Sequence, residues 1–368
     1  MIKIAVDGRP LQGELSGVGK YLLEMVLSLS RQLSECSIYI YSNTAISFDF
    51  ASFRNITIVI DSRFKRVKPL IWSKFLLARL IKKDGCDFSL FGGSFCTMQK
   101  LPGKKISIVH DLNHILAKET MSRLHYLTHF LFFKKDIQKA NFCIANSNGT
   151  AGNLKRVYNI IPDFILHPPI GNHYRVINND EVKSVLKSLD IDYPYILTVA
   201  TQEPRKNLDK TINVFLNLKK KKLLNGYKLL LVGGRGWKNQ ELQQLINENK
   251  DSIIQMGYTE EKYLPYLYNG AAVFVFPSKY EGYGMPVTEA ILCGKKPIVS
   301  NIEELHEASN GYASFIDPEN AEQYTTEILK AINNHEVIDP AVYSKLRNNF
   351  DIEFKNLVLQ LSNVLLKC

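Results

Sequence analysis

Short runs of apolar, β-branched and aromatic residues recur along the chain, and each is followed by a stretch in which apolar residues return at helical spacing. The runs typical of strands are residues 2–6, 37–41, 56–60, 86–91, 105–110, 141–146, 163–167, 193–200, 227–234, 252–258, 271–278, 296–300 and 312–317. Strands that are apolar throughout and alternate with helices indicate a parallel sheet covered on both faces. Because two such series each occupy one half of the chain, the pattern predicts an α/β protein with two doubly wound, Rossmann-like domains facing each other across a cleft.

The periodic pattern breaks in residues 167–181, HPPIGNHYRVINNDE, which are rich in Pro, Asn and Gly. Such a composition is typical of a linker. We therefore predict an N-terminal domain over residues 1–172 and a C-terminal domain over 173–350. A last apolar-periodic segment within 351–368 predicts a final helix that can pack back on the N-terminal domain.

The composition is that of an ordinary globular protein, since 45% of the 368 residues are hydrophobic and 22% are charged. No apolar run reaches the roughly 20 residues that a membrane-spanning helix requires, and the first residues lack the features of a signal peptide. The six cysteines form no C-x-x-C pair, which argues against a zinc site and a disulfide scaffold. We therefore expect a cytoplasmic protein.

The net charge of +10 comes entirely from the first half of the chain. Residues 1–175 contain 24 basic and 12 acidic residues, whereas the remainder contains 22 and 24. Residues 63–83 combine eight Lys and Arg with interspersed apolar residues, and residues 124–139 are a second segment of this kind. Such segments can bind an anionic membrane surface, or they can be sheet-covering helices with solvated cations. Nucleic acid is disfavoured as the partner, because no nucleic-acid-binding module is evident and because, beyond Trp72 and Phe75, no base-stacking aromatics are interleaved with the cations.

Ligands of open parallel sheets bind at the carboxyl ends of the strands, so the loops there are the place to look for chemistry. The first strand is followed by Gly13, Gly17 and Gly19, which permit close approach to a phosphate or simply form a turn. The fifth strand ends at His110 and Asp111. That histidine can donate a hydrogen bond to a sugar hydroxyl or carry a proton. The alternative is a buried histidine whose hydrogen bonds are all made within the protein.

In the second half, Arg205 and Lys206 stand between a strand and a helix. The planar fork of Arg and the point charge of Lys suit a pyrophosphate, although a solvated loop pair is the alternative. Seven residues separate Glu281 from Glu289 in the segment PSKYEGYGMPVTEA. We predict that a helix begins near Pro286, with Glu289 one turn into it.

Two carboxylates beside a helix N-terminus suit a ligand with hydroxyls at both ends and phosphates in the middle. The carboxylates accept hydrogen bonds from sugar hydroxyls, and the backbone of Gly284 and Met285 offers N–H groups to phosphate.

Taken together, GELSGVGKY, VHDL, TQEPRKNL, PSKYEGYGMPVTEA and PIVSN resemble, in their order, the motifs of retaining glycosyltransferases of family 4, the group 1 transferases with the GT-B fold. The resemblance extends to bacterial mannosyl- and rhamnosyltransferases of surface polysaccharide assembly. It implies a nucleotide-diphosphate-sugar donor held by the second domain and an acceptor held by the first.

The resemblance also implies a role for each candidate residue. Arg205 and Lys206 would neutralise the diphosphate, and Glu289 would bind the ribose hydroxyls. Glu281, with the backbone of Gly284, Met285 and Pro286, would hold the transferred sugar. Gly17 would lie near the phosphates and the acceptor, and His110 near the 6-position of the sugar, with Glu281 and His110 as the catalytic residues.

We therefore expect a hexose, mannose in preference, to pass from a nucleotide sugar to a lipid-linked saccharide in O-antigen and lipopolysaccharide biosynthesis, at the inner face of the cell membrane. GDP-mannose is favoured over dTDP-rhamnose and UDP-sugars. Glycosyltransferases of the GT-A fold bind a metal ion through a D-x-D motif that follows a strand, whereas the D-x-D of residues 190–192 precedes a strand. No cofactor and no metal are therefore expected. A sugar-nucleotide epimerase of related fold and a non-catalytic nucleotide sensor remain the alternatives.

Overall fold

The computed structural model describes residues 2–93, 95–234, 236, 240–334, 338 and 340–365. The chain divides into two compact units. Unit 1 comprises Met1–His114, Arg123–Pro169 and Asn349–Cys368, and unit 2 comprises Ile115–Ser122 and Ile170–Asn348.

The described part of unit 1 contains a sheet of seven parallel strands in the order β3-β2-β1-β4-β5-β6-β7. The strands are β1 (Lys3–Asp7), β2 (Ser37–Ser42), β3 (Ile56–Ile60), β4 (Phe88–Phe91), β5 (Lys104–Val109), β6 (Phe142–Ala145) and β7 (Phe164–Ile165). The helices of residues 1–169 are α1 (Gly17–Gln32), α2 (Pro69–Ile71), α3 (Leu77–Asp84), α4 (Asn113–Leu116), α5 (Arg123–Gln138) and α6 (Asn148–Tyr158), with a π-helical segment (Trp72–Leu76) between α2 and α3.

The continuous apolar runs of unit 1 are explained by a core on each face of its sheet. In β1, Ile4 and Val6 pack in one core and Ala5 packs in the other, because successive side chains of a strand point to opposite faces. Phe354 and Leu357 of the last helix, α14 (Pro340–Leu365), are buried in the first of these cores.

The described part of unit 2 contains six parallel strands in the order β10-β9-β8-β11-β12-β13. They are β8 (Tyr195–Val199), β9 (Lys228–Val232), β10 (Ile253–Gly257), β11 (Val273–Phe276), β12 (Ile298–Ser300) and β13 (Ser314–Ile316). Its helices are α7 (Asn179–Ser188), α8 (Leu208–Lys220), α9 (Gln240–Glu248), α10 (Leu264–Gly270), α11 (Met285–Leu292), α12 (Glu303–Ala308) and α13 (Ala321–Asn333).

Unit 2 also has a core on each face of its sheet, since Ile196 packs in one and Leu197 in the other. The prediction of two doubly wound parallel sheets is therefore confirmed. In unit 2 the strand order reverses between β8 and β11. Such a reversal opens a crevice at the carboxyl ends of the two strands, which is where ligands bind in sheets of this kind.

The basic segment 63–83 differs from a single amphipathic helix. A 3-10 turn covers Ser62–Phe64, and the α-helix begins only at Pro69, whose ring suits the first turn of a helix. The segment also includes the π-helical stretch. Trp72, Leu77 and Ile81 are buried in the core of unit 1, so the sheet-covering interpretation is right for these three. Counting Lys74 among the solvated or membrane-facing cations is wrong, because it is buried in an ion pair with Asp136.

Candidate active site

The loops after β8 and β11 meet at the point where the strand order reverses. Pro204 begins a short 3-10 turn that contains Arg205 and Lys206, and the turn ends at Asn207, whose φ is 56°. Asparagine tolerates this left-handed conformation better than most residues do. The backbone N–H of Lys279 donates to the carbonyl of Arg205 at 2.9 Å, which ties the two loops together.

Glu281 is bound by both cations of the other loop. Its Oε2 lies 2.8 Å from Nη1 of Arg205, and its Oε1 lies 2.6 Å from Nζ of Lys206. The same guanidinium nitrogen donates to the carbonyl of Tyr280 at 3.0 Å. Glu281 is 6% exposed and Lys206 is 8% exposed. The structure thus brings together three of the residues that the sequence predicts for the site.

The electrostatics of this cluster follow from burial and from the two cations. Burial raises the pKa of Glu281, but the charges of Arg205 and Lys206 outweigh it and hold that pKa at about 2. Burial and the neighbouring Arg205 lower the pKa of Lys206, while Glu281 opposes both. The carboxylate is therefore ionised at neutral pH, and it neutralises cations that would otherwise be costly to bury.

Two further groups support the cations. Nζ of Lys206 lies 4.8 Å from the ring centroid of Phe276, a distance suited to a cation–π contact. A carboxylate oxygen of Glu203 lies 3.5 Å from Nε of Arg205. Sequence analysis did not single out Glu203 or Phe276, although both lie within five residues of a predicted site residue. The cations are thus held in place by the protein itself.

The helix predicted near Pro286 begins at Met285, with Pro286 in its first turn. The preceding residue, Gly284, has φ of +106°, and a Cβ there would lie 2.5 Å from Cδ2 of Leu305. Both facts favour glycine. Pro286 has no backbone N–H, and the N–H of Val287 donates to the carbonyl of Gly284 at 2.9 Å. The helix dipole, together with the N–H of Met285, therefore makes this end of α11 suited to an anion.

Glu289 lies on α11 and is 3% exposed. Its Oε2 accepts a hydrogen bond of 2.7 Å from the hydroxyl of Tyr268 on α10. Sequence analysis missed Tyr268, because nothing in its local pattern distinguishes it from an ordinary core tyrosine. The only available signal was that a carboxylate buried in an apolar helix needs a partner.

In unit 1, Gly17 is the first residue of α1, and Oγ of Ser16 caps the helix by accepting the N–H of Gly19 at 3.4 Å. A Cβ on Gly19 would lie 2.3 Å from the carbonyl oxygen of Pro10. Close packing of the turn therefore explains Gly19 without a ligand. Gly17 itself is exposed at the start of the helix.

His110 directly follows β5. Its Nε2 lies 2.9 Å from the carbonyl oxygen of Gly92, and its ring meets that of Tyr21 edge-on at 5.1 Å. Because a carbonyl only accepts, Nε2 carries the hydrogen and Nδ1 is left as an acceptor. Burial lowers the pKa of His110, although Gly92 and Asp111 oppose the shift. The imidazole is therefore neutral at neutral pH and suited to accept a hydrogen bond.

The fold and this site define a class. Two doubly wound parallel sheets, one of which holds buried cations and a helix N-terminus at its reversal point, are the features of the GT-B fold. HepE from Anabaena, solved in complex with UDP-glucose, superposes with a TM-score of 0.70 at 14% identity over 100% of both chains. The GT-B prediction is confirmed.

Residues 181–351 match the family described as Glycosyl transferases group 1. The chain is similar to O-antigen chain mannosyltransferase B of Escherichia coli, at 25% identity over 98% of this chain and 99% of the relative. It is also similar to O-antigen chain mannosyltransferase RfbU of Salmonella typhimurium, at 25% identity over 89% of each. The chain therefore carries a group 1 domain and is a glycosyltransferase, as the sequence predicts.

Among the described residues, no cluster of three or more His, Cys, Asp and Glu side chains is arranged to hold a metal ion. None of the helices in the described part of the chain combines the length and apolar character needed to cross a bilayer.

Proposed function

We propose that the chain transfers mannose from GDP-mannose to a saccharide acceptor, with retention of configuration, in the assembly of an O-antigen polysaccharide. The observation that carries the proposal is the largely buried cluster of Arg205, Lys206 and Glu281 beside the start of α11. Its chemistry fits a diphosphate joined to hydroxyl-bearing groups. The likeness to two relatives named as O-antigen mannosyltransferases supports the choice of sugar.

In this proposal each group has one task. Arg205 and Lys206 neutralise the diphosphate, assisted by the dipole of α11. The charge of the leaving group is thereby stabilised by the protein rather than by a metal ion. Glu289 accepts hydrogen bonds from the ribose hydroxyls. Glu281 and the backbone of residues 284–286 hold the transferred sugar.

The proposed reaction breaks the bond between the anomeric carbon and the diphosphate oxygen. The anomeric centre becomes oxocarbenium-like, and the acceptor hydroxyl attacks from the same face. Its proton passes to the departing phosphate oxygen, so that the products are the glycosylated acceptor and a nucleoside diphosphate. His110, through Nδ1, accepts a hydrogen bond from the 6-hydroxyl of the sugar, and Gly17 lets the phosphates and the acceptor approach closely.

The first test is thermal denaturation with GDP, UDP, dTDP and ADP and with their sugar derivatives. A ligand at about 100 times its Kd adds about 2.7 kcal/mol to the folded state, which is readily measured. We expect GDP and GDP-mannose to give the largest shift. If none of the nucleotides shifts the transition, the proposed diphosphate site is wrong.

Turnover then separates the transferase from its alternatives. Incubation with labelled GDP-mannose should release GDP only when a saccharide acceptor is present. Conversion of the sugar without any acceptor would indicate an epimerase instead. Binding without consumption of the donor would indicate a nucleotide sensor.

We further propose that the acceptor is lipid-linked and that unit 1 meets the inner face of the cell membrane. On α5, four apolar side chains are exposed at helical spacing, namely Leu124, Leu127, Phe130 and Leu131. Arg123, Lys134 and Lys135 on the same helix are also exposed. Exposed apolar side chains flanked by cations suit the boundary between headgroups and acyl chains of an anionic membrane.

Flotation with vesicles tests this surface. We expect vesicles containing about 30% anionic lipid to retain the protein at low salt, and Leu127→Asp with Phe130→Asp to abolish retention. Ile161→Asp is the control, since Ile161 is exposed in unit 1 but lies outside α5. Failure of the unaltered protein to bind anionic vesicles at low salt would contradict the proposal.

A further inference from the structure

We infer that Tyr268 is a positioning residue that orients the carboxylate of Glu289 toward the ribose hydroxyls of the donor. The inference rests on the proposed function, because it assumes that Glu289 binds the ribose. It goes beyond that proposal by assigning a task to a side chain of α10 that does not itself touch the ligand.

The geometry that carries the inference is a single hydrogen bond between two buried side chains. The hydroxyl of Tyr268 lies 2.7 Å from Oε2 of Glu289. Tyr268 has no exposed surface, and Glu289 is 3% exposed. A hydrogen bond to a charged group is stronger than one between neutral groups, and burial increases its strength further.

The ring of Tyr268 is itself fixed. It meets Phe274 edge-on at 5.2 Å and Tyr174 edge-on at 6.1 Å, measured between ring centroids. Tyr268 and Tyr174 also belong to the apolar core that includes Val287 and Ile291 of α11. Because the ring cannot rotate freely, the hydroxyl points in one direction and selects one rotamer of the glutamate.

The hydroxyl acts as a donor throughout the working pH range. Burial raises the pKa of Tyr268 well above its usual value, and the charge of Glu289 raises it further. The phenol therefore stays protonated and donates to the carboxylate. Since a carboxylate accepts about four hydrogen bonds, one from Tyr268 is compatible with others from ribose hydroxyls.

The competing interpretation is that the hydroxyl only satisfies a buried carboxylate. The two interpretations differ in what the loss of the hydroxyl does to different ligands. A positioning role affects ligands that carry ribose hydroxyls, whereas a role in stability alone affects all ligands alike.

The test compares Tyr268→Phe with the unaltered chain in calorimetric titrations. The probes are the nucleoside diphosphate that stabilises the chain most strongly and its 2′,3′-dideoxy analogue. We expect the unaltered chain to prefer the ribonucleotide, and the variant to lose about tenfold in affinity for it, as expected for one hydrogen bond to a charged group. The affinity of the variant for the dideoxy analogue should stay within about twofold of that of the unaltered chain. The preference for the ribonucleotide over the dideoxy analogue therefore becomes smaller in the variant.

Two variants serve as controls. Tyr324→Phe removes another buried hydroxyl, one that pairs with Thr211 at 2.7 Å in the core on the other face of the sheet, and it should leave the preference unchanged. Glu289→Gln should itself reduce the preference, and adding Tyr268→Phe should then reduce it little further, because both changes act on one interaction.

Three results would overturn the inference. An equal loss of affinity for both probes in Tyr268→Phe means that the hydroxyl acts on the fold. Equal affinity of the unaltered chain for both probes means that Glu289 does not bind ribose. Failure of every nucleoside diphosphate to bind the unaltered chain means instead that the proposed function is wrong.

Discussion

Each unit buries opposite charges, but the two arrangements differ. In unit 1, Lys74 of the π-helical segment pairs with Asp136 of α5, and the same carboxylate oxygen accepts the backbone N–H of Cys96 at 3.2 Å. In unit 2, Arg205 and Lys206 converge on Glu281 at the ends of β8 and β11. The first arrangement joins two helical segments, whereas the second lies where the strand order reverses.

The difference separates an ion pair that only stabilises the fold from the cluster that we propose as a ligand site. One lysine and one aspartate satisfy each other, so the pair in unit 1 has no charge left for a ligand. In unit 2, Glu281 and Glu203 both face the two cations, and what distinguishes this cluster is its place where the strand order reverses, beside a helix N-terminus that suits a further anion. Both arrangements are costly to break, but only the second should change activity when it is altered.

Glu281→Ala tests the second arrangement and should have the largest effect. We expect the rate of mannosyl transfer to fall about 1,000-fold, comparable to the loss of one preorganised polar group in an active site. GDP binding should survive, because both cations remain. Transfer assays and GDP titrations measure the two effects. Glu319→Ala, which removes an exposed partner of Lys210, is the control, and near-normal turnover of Glu281→Ala would contradict the assignment.

Lys74→Met tests the first arrangement. It leaves Asp136 buried without its partner, so we expect a loss of about 3 kcal/mol or more in the free energy of unfolding, with GDP affinity unchanged. Urea denaturation measures the stability. The double change Lys74→Met and Asp136→Leu should recover much of the loss, since no unpaired charge remains. A single variant as stable as the unaltered chain would show that the pair is not structural.

The two units should also respond differently to acid. Burial lowers the pKa of His114 in unit 1 to about 4, against 6.5 ordinarily, and Glu281 in unit 2 has a pKa of about 2, against 4.5 ordinarily. In both cases the unfolded chain binds the proton more readily. The contribution of His114 to the free energy of unfolding is therefore lost as pH falls from about 6.5 to 4. The contribution of Glu281 is lost only as pH falls further, from about 4.5 to 2.

The expected loss from His114 is about 3 kcal/mol between pH 7 and pH 4. Denaturant unfolding across this range measures it. His114→Gln should flatten the dependence, although His110 and His129, whose pKa values burial also lowers, keep part of it. An equal slope in the variant would show that His114 does not titrate as described.

Of the four predictions made for this comparison, Arg205→Ala should have the smallest effect. It removes one of two cations, so we expect GDP affinity to fall about tenfold, within the range for a hydrogen bond to a charged group. Calorimetric titration with GDP measures it. Lys262→Ala is the control, because Lys262 forms only an exposed pair with Glu260. Unchanged affinity in Arg205→Ala would contradict its role toward the diphosphate.

The central strands β1 and β8 could be predicted because they are buried on both faces. In β1 and β8, neighbouring residues enter different cores, so the strands are apolar without interruption and stand out from the polar loops. The start of α11 was also predictable, since Pro286 and Gly284 mark it locally.

The pairing of side chains could not be predicted from the sequence in the same way. Glu281 is 75 residues from Lys206, and Asp136 is 62 residues from Lys74. No local pattern records such contacts, because they arise only when the sheet is assembled. For this reason Lys74 was misplaced among the solvated cations, and Tyr268 was missed although its target, Glu289, was singled out.

The carboxylate of Glu281 has one more consequence, which concerns the molecule when no donor is present. Because Arg205 and Lys206 are already paired with Glu281 and only 14% and 10% of their side chains are exposed, they offer little to the many polyanions of a cell, such as nucleic acids and free polyphosphates. Only a ligand that enters the crevice and replaces or shares that carboxylate gains access to them. We therefore expect Glu281 to restrict which anions can bind the two cations.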